Sequence, residues 1–235
     1  MIFISGVDAC KGGWLSVSKD LLSGRILSEV HASVESLVNR SPRSIVIAVD
    51  IPIGLTDSGQ RECDRLAREM LGRPRSSSVF PAPIRPALRA ENGKQADEIT
   101  RWIDGRGVGA QAWGLYARIR EFDRLVVSDP MARRRIYEVH PELSFMAWTG
   151  GIPIRDSKRS HAGMNIRAEL VKAHFGREAL RAARQRHQQA WVADDDINDA
   201  FAALWTAERI HSGVARVIPD PPATDSMGIH MGMWY

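Results

Sequence analysis

The sequence predicts a mixed α/β fold. Three short apolar strands joined by tight turns open the chain, a short helix follows, and then comes a β-branched run of the kind found in buried parallel strands. Residues 2 to 9 read as the first strand, Gly12-Gly13 marks a turn, and Trp14 to Ser18 alternates like a second strand. Ser23-Gly24 turns the chain again before a third strand over 25 to 30. Residues 33 to 40 resemble a short helix capped by Ser33. Ile45-Val46-Ile47-Ala48-Val49 is the buried strand, and it ends at Asp50.

The next stretch is helical and irregular by turns. Residues 60 to 71 place Cys63, Leu66, Ala67, Met70 and Leu71 on one helical face, with Gly72 as the C-cap. Residues 72 to 90 are rich in Arg, Ser and Pro, which excludes a helix or a central strand and predicts a long irregular loop. Helical spacing returns at 94 to 104 and 110 to 127. Residues 136 to 140 read as another strand, ended by Pro141, with Glu142 capping the following helix. Helices are expected at 162 to 175, 177 to 190 and 195 to 212. The stretch from 219 to 235 reads as a tail or loose cover. The chain is thus expected to form one domain over 1–235, with an insertion at about 60–127.

Composition narrows the function classes. The 235 residues are 44% hydrophobic and 26% charged, ordinary values for a chain with a sizeable core. No apolar run approaches a membrane span and no basic-then-apolar leader opens the chain, so no membrane partner is expected. Cys10 and Cys63 form neither a disulfide framework nor a metal spacing, and a cytoplasmic setting is the expectation. The net charge of +4, carried by clustered arginines, permits an anionic partner such as nucleic acid without requiring one. A Gly-rich phosphate loop and a Gly-x-Ser-x-Gly elbow are both missing. The spacing from Cys63 to Arg68 is one residue too short for a thiol phosphatase loop. The sequence leaves a homo-oligomer open.

Acidic residues carry the chemistry. Asp194, Asp195, Asp196 and Asp199 crowd the start of the last long helix. The pairs Asp196/Asp199 and Asp195/Asp199 share helix faces. Carboxylates so placed repel unless a cation lies between them, and hard divalent cations take carboxylate oxygens. Aspartates also cap helices and suit the dipole, which accounts for one or two of them. Asp8 and Asp50 stand at strand ends, where open α/β sheets gather ligands. The candidate site is therefore Asp8, Asp50, Asp196 and Asp199, with Asp195 in reserve, holding Mg²⁺ or Mn²⁺ for phosphoryl chemistry. Glu138 and His140 alternate with Tyr137 and Val139, so they are expected on one strand face. There Glu138 would be a further ligand, and His140 or Glu142 would position water or a leaving group; the alternative is a half-buried strand with a paired glutamate and a satisfied histidine. Arg73, Arg75, Arg85 and Arg89 lie in the irregular segment and are expected to border the acids and grip substrate phosphates. The alternative is that they pair with surface acids and brace the insertion.

Gly6-Val7-Asp8-Ala9-Cys10-Lys11-Gly12-Gly13-Trp14, Val49-Asp50-Ile51-Pro52-Ile53-Gly54-Leu55 and Arg61-Glu62-Cys63-Asp64-Arg65-Leu66-Ala67-Arg68 form a set with Ser77-Ser78-Val79-Phe80. Tyr137-Glu138-Val139-His140-Pro141-Glu142 and Asp195-Asp196-Ile197-Asn198-Asp199-Ala200 complete it. Together they resemble the domain of unknown function 429 family, described as predicted ribonuclease H-like nucleases. The resemblance implies a mixed five-stranded sheet flanked by helices, with the helical insertion between strands four and five. It implies acids on the first strand, the fourth strand and the last helix, which here are Asp8, Asp50, and Asp196 with Asp199. The last pair resembles the Asp-x-x-Asp-Ala element of Holliday-junction resolvases. Lys11, inside the first motif, joins the arginines as a substrate-binding candidate.

The activity implied is a divalent-metal-dependent nuclease acting on nucleic acid or another phosphate-bearing substrate. Two alternatives stand beside it: a metal-dependent hydrolase of a small phosphorylated or nucleotide molecule, and a non-catalytic nucleic-acid-binding module. Actin-like ATPases share the Gly-x-Asp element but need two such domains, and this chain is short for that.

Overall fold

Alternating apolar side chains in the first fifty residues build the sheet on which everything else hangs. The computed structural model describes residues 1–235. β1 (Phe3–Cys10), β2 (Gly13–Asp20) and β3 (Ile26–His31) form an antiparallel meander, followed by α1 (Val34–Val38), capped by the Ser33 hydroxyl. β4 (Ser44–Val49) returns beside β1 in parallel, and β5 (Ile136–Glu138) adds to β4 in parallel. The sheet order is β3-β2-β1-β4-β5, the mixed five-stranded sheet that was expected.

Between β4 and β5 runs the helical insertion: α2 (Glu62–Arg75), α3 (Gly93–Asp104), α4 (Ala110–Ser128) and the short α5 (Pro130–Arg133). The segment 72–90 is less irregular than its prolines suggest. The regular part of α2 stops at Gly72, whose φ of 58° suits glycine. A further turn over 73–75 and 3₁₀ turns at Ser76–Ser78 and Arg85–Arg89 then carry the chain on. Proline fixes a φ that such turns accept, and so it forbids long helices there and not these short turns.

After β5 come α6 (Pro141–Trp148), α7 (His161–Phe175), α8 (Arg177–Arg186) and α9 (Asp194–His211). The two faces of the sheet bury different cores. Val7, Ile47 and Val49 face α1, α4 and the insertion. Ile4, Leu15, Val46 and Ala48 face α9, backed by α7 and α8.

The C-terminal stretch is not a loose tail. β6 (Val217–Thr224) and β7 (His230–Trp234) form an antiparallel hairpin whose register slips between Ile218 and Ala223. The slip absorbs Pro219, Pro221 and Pro222, which cannot donate to a ladder and so mimic a breaker in the sequence. Trp234 pairs with Val139 in a single parallel bridge and meets Tyr137 edge-on at 5.4 Å, tying the hairpin to β5.

Candidate functional site

The parity of β1 sets the site. Side chains on a strand alternate between faces. Ile4, Gly6, Asp8 and Cys10 therefore point to the α9 face, and Val7 points away. Gly6 allows the helix to come down onto the strand: a Cβ there would lie 2.0 Å from Leu204 N and 2.2 Å from Ala200 O. The helix presents fully buried Ala200, Ala203 and Ala207 along this contact. This close approach carries Asp199, one residue before Ala200, to the level of Asp8. Asp50 follows Val49 at the end of β4, and its N–H donates to Val7 O (3.0 Å) beside Asp8.

Asp8 and Asp199 are buried and Asp50 is half-buried. They stand close enough to disturb one another. Burial, then Asp50 and Asp199, hold the Asp8 carboxyl well above its usual range. Burial also raises Asp50, against the favourable charges of His140 and Lys158. Burial pushes Asp199 up to about 6, again opposed by Lys158. Lys158 enters from the loop between α6 and α7. Its Nζ donates to Asp199 Oδ2 at 2.5 Å and lies 3.7 Å from Asp195 Oδ2. Burial opposes its charge, but Asp199, Asp8 and Asp50 outweigh that and raise its pKa above the ordinary lysine value. Asp199 Oδ1 is buried and has no hydrogen-bond partner.

The other expected residues divide. His140 joins the cluster beside Asp50; its Nε2 meets Ser78 O at 3.3 Å and its Nδ1 is buried without a partner. Asp196 stands at the rim, where its Oδ2 accepts the Ala193 N–H at 2.8 Å; burial raises its pKa. Asp194 pairs with Arg184 at 2.9 Å. The capping and ion-pair reading therefore accounts for Asp194, and in part for Asp196.

Glu138 is not brought to the acids. The ladder aligns Val7 with Val49 and Val49 with Glu138, so Glu138 faces the insertion, opposite to Asp8. β5 ends at Glu138, so alternation does not carry on to His140, and the two do not share a face. Glu138 instead takes a bidentate grip from Arg61, both bonds at 2.7 Å, and accepts the Ile53 N–H at 2.7 Å. Arg61 also donates to Asp64 at 2.6 Å. Cys63, Asp64 and Glu138 offer three donors close enough together for an ion. The Arg61 guanidinium already lies against both carboxylates, and burial pushes the Cys63 thiol up, keeping it protonated.

Glu142 is similarly engaged. Arg167 Nη2 donates to its two oxygens at 2.8 and 2.7 Å.

Among the basic candidates, Arg85 is committed to Asp123 (2.8 Å) and to Asp225, so it braces the insertion against the C-terminal hairpin. Arg73 and Arg89 are exposed, and Arg73 and Arg75 pair with no acid. The Arg75 carbonyl accepts the Ser78 hydroxyl at 2.7 Å, and Ser78 in turn meets His140, so this turn borders the site. Lys11 is exposed at the β1–β2 turn, 5.5 Å over the Trp191 ring. Lys158, Arg61 and Arg167 are the residues that sequence reasoning passed over. Arg61 and Arg167 carry i, i+3 and loop contacts visible only in three dimensions, and Lys158 sits in a loop with no periodicity.

An α/β fold with a mixed five-stranded sheet, with carboxylates at two strand ends and on the last helix, defines the class of this molecule. The chain belongs to the family described as "Protein of unknown function (DUF429)", whose model matches residues 6–224. No curated protein and no solved structure matches it. No helix is long and apolar enough to cross a membrane.

Proposed function

We propose that the protein is a divalent-metal-dependent phosphodiester hydrolase, a nuclease of the ribonuclease H-like kind, with Asp8, Asp50 and Asp199 at its centre and Asp196 at the rim. The observation that carries this reading is the imbalance of charge. Three acids lie near one another with one lysine bonded to Asp199, and Asp199 Oδ1 is buried with nothing to accept from. Buried carboxylates persist only when paired or when they coordinate a metal. An all-oxygen donor set with an orphaned oxygen suits Mg²⁺ or Mn²⁺.

When bound, such an ion would activate a water and stabilise the leaving oxygen of an in-line displacement. The chain's own groups do the rest. Asp8, Asp50 and Asp199 would hold the ion, with Asp196 at the acidic rim. His140, with Nδ1 free beside Asp50, is placed to move a proton at the mouth of the site. Arg73 and Arg75 on the adjoining turn, with Lys11 on the β1–β2 turn, would receive substrate phosphates.

The test is hydrolysis of single- and double-stranded DNA and RNA, and of a small diester such as bis-p-nitrophenyl phosphate, with and without Mn²⁺. Metal-dependent cleavage lost in Asp199→Asn is the expected result. No cleavage of any phosphate ester by the metal-loaded wild type would overturn the reading. For a nucleic-acid substrate, binding weakens steeply with salt, and Arg73→Ala with Arg75→Ala flattens that slope. For a small substrate the salt dependence is shallow and the same pair of changes raises KM.

A further inference from the structure

We propose that this site takes a single divalent ion and that the Lys158 ammonium fills the place of a second. The inference rests on the metal-site reading above and specifies its cation content. Lys158 Nζ holds Asp199 Oδ2 and lies 3.7 Å from Asp195 Oδ2, so the ammonium occupies the place between these two carboxylates that a second ion would need. The donor oxygens divide accordingly. Asp199 gives Oδ2 to Lys158 and leaves Oδ1 buried and unpartnered. Asp8 gives one oxygen to the Ala9 N–H at 2.8 Å, so a carboxylate on each side retains capacity for one ion.

The lysine is a built part of the site. Arg167, almost wholly buried, holds the loop that carries it: Nη1 donates to Asp156 O (3.1 Å) and Gly163 O (2.8 Å), while Nη2 is clamped by Glu142. Ser160 Oγ donates to Ser157 O at 2.8 Å. The loop backbone lies so close on α7 that a Cβ at Gly163 would come within 2.1 Å of Ser157 O. Glu142 thereby acquires a role: through Arg167 it fixes the residues just before Lys158. A backbone anchored on both sides aims the ammonium at Asp199 with little freedom to swing away. The Lys158 side chain is 37% exposed, so solvent reaches the cluster along it, which gives an ion an entry path.

The experiment is Mn²⁺ binding to the full chain, followed by calorimetry for stoichiometry and by electron paramagnetic resonance for spin coupling. Wild type should bind one ion with an uncoupled six-line spectrum at saturation. Lys158→Met should bind two, with a spin-coupled signal, and Lys158→Arg should return the count to one. Two coupled ions in the wild type would overturn the proposal, as would a single ion of unchanged affinity in Lys158→Met. The wild-type count decides alone if Lys158→Met fails to fold. Failure of the underlying reading looks different: wild type binds no Mn²⁺, and Asp199→Asn behaves as wild type.

Discussion

Gly6→Ala should drive α9 off β1 and, with it, Asp199 away from Asp8. The added Cβ would lie 2.0 Å from Leu204 N, 2.2 Å from Ala200 O and 2.6 Å from Ala203 C, all backbone atoms of one helix. No rotamer change relieves backbone contacts. Ordinary carbon contacts lie at about 3.5–4.0 Å, so the helix must retreat by roughly 1.5 Å. A gap of only about 0.5–1 Å already forfeits a quarter to a half of each dispersion contact along Ala200, Ala203, Leu204 and Ala207. Overpacking typically costs about 1–3 kcal/mol, and a whole-helix displacement belongs at or above the upper end, near 3 kcal/mol. For a chain of this length that is a fall of roughly 6–12 °C in the thermal midpoint.

Gly114→Ala is the control. Gly114 is exposed in α4 with open space around its Cβ position, so alanine there should stabilise by about 0.5–1 kcal/mol through helix propensity. The assay is thermal and urea unfolding of both variants, each with and without Mn²⁺. The wild type and Gly114→Ala should gain stability from the ion, and Gly6→Ala should lose most of that gain because its carboxylates no longer meet. A Gly6→Ala protein within about 1 kcal/mol of wild type and still stabilised by Mn²⁺ would refute the reasoning.

Three further outcomes are expected. Asp8, Asp50, Asp196 and Asp199 all have raised pKa values, so the folded state keeps protons that the unfolded chain releases, and metal-free stability should fall as pH climbs from about 4 to about 6. Mn²⁺ should reverse this loss at pH 7 and do little at pH 4, and a metal-free stability that rises across that window would contradict the cluster. Arg61→Met leaves Glu138 and Asp64 buried without their cation and should cost about 3–5 kcal/mol in urea unfolding, whereas a loss under 1 kcal/mol would show that the network is dispensable. Arg85→Ala should cost about 2 kcal/mol through Asp123 and Asp225 and leave substrate KM unchanged; a raised KM with normal stability would return Arg85 to the substrate side.

The strands and long helices were legible because their periodicities are local. Val7/Asp8 and Val49/Asp50 each place an acid just past an apolar strand residue, and Asp199 precedes an unbroken buried helix face. Those three acids could therefore be chosen by position alone. Glu138 could not be assigned that way. Its face depends on the register with β4, and on β5 stopping before His140, and neither is written in the local sequence. Pro219, Pro221 and Pro222 concealed a hairpin because a bulge can absorb residues that a regular ladder rejects. Lys158 had no local signature. It reaches the acids only because Arg167, Glu142 and Gly163 fix its loop from other elements.

Two of the buried acidic groups of this protein differ in how their carboxylates meet positive charge. Glu138 and Asp64 receive a bidentate and a single bond from Arg61, with the N–H groups of Ile53 and Ala82 (2.7 and 3.2 Å) taking up more of their oxygens. Such a network joins β5 to α2. Of Asp8, Asp50 and Asp199 only Asp199 bonds the Lys158 ammonium, and its Oδ1 is orphaned in the interior. A fold can retain that imbalance only at a cost in stability, and such costs concentrate where a protein meets a ligand. On the insertion side Arg61 bonds both carboxylates, whereas on the α9 side Lys158 bonds Asp199 alone of Asp8, Asp50 and Asp199, and that excess of negative charge is what the proposed cation would offset.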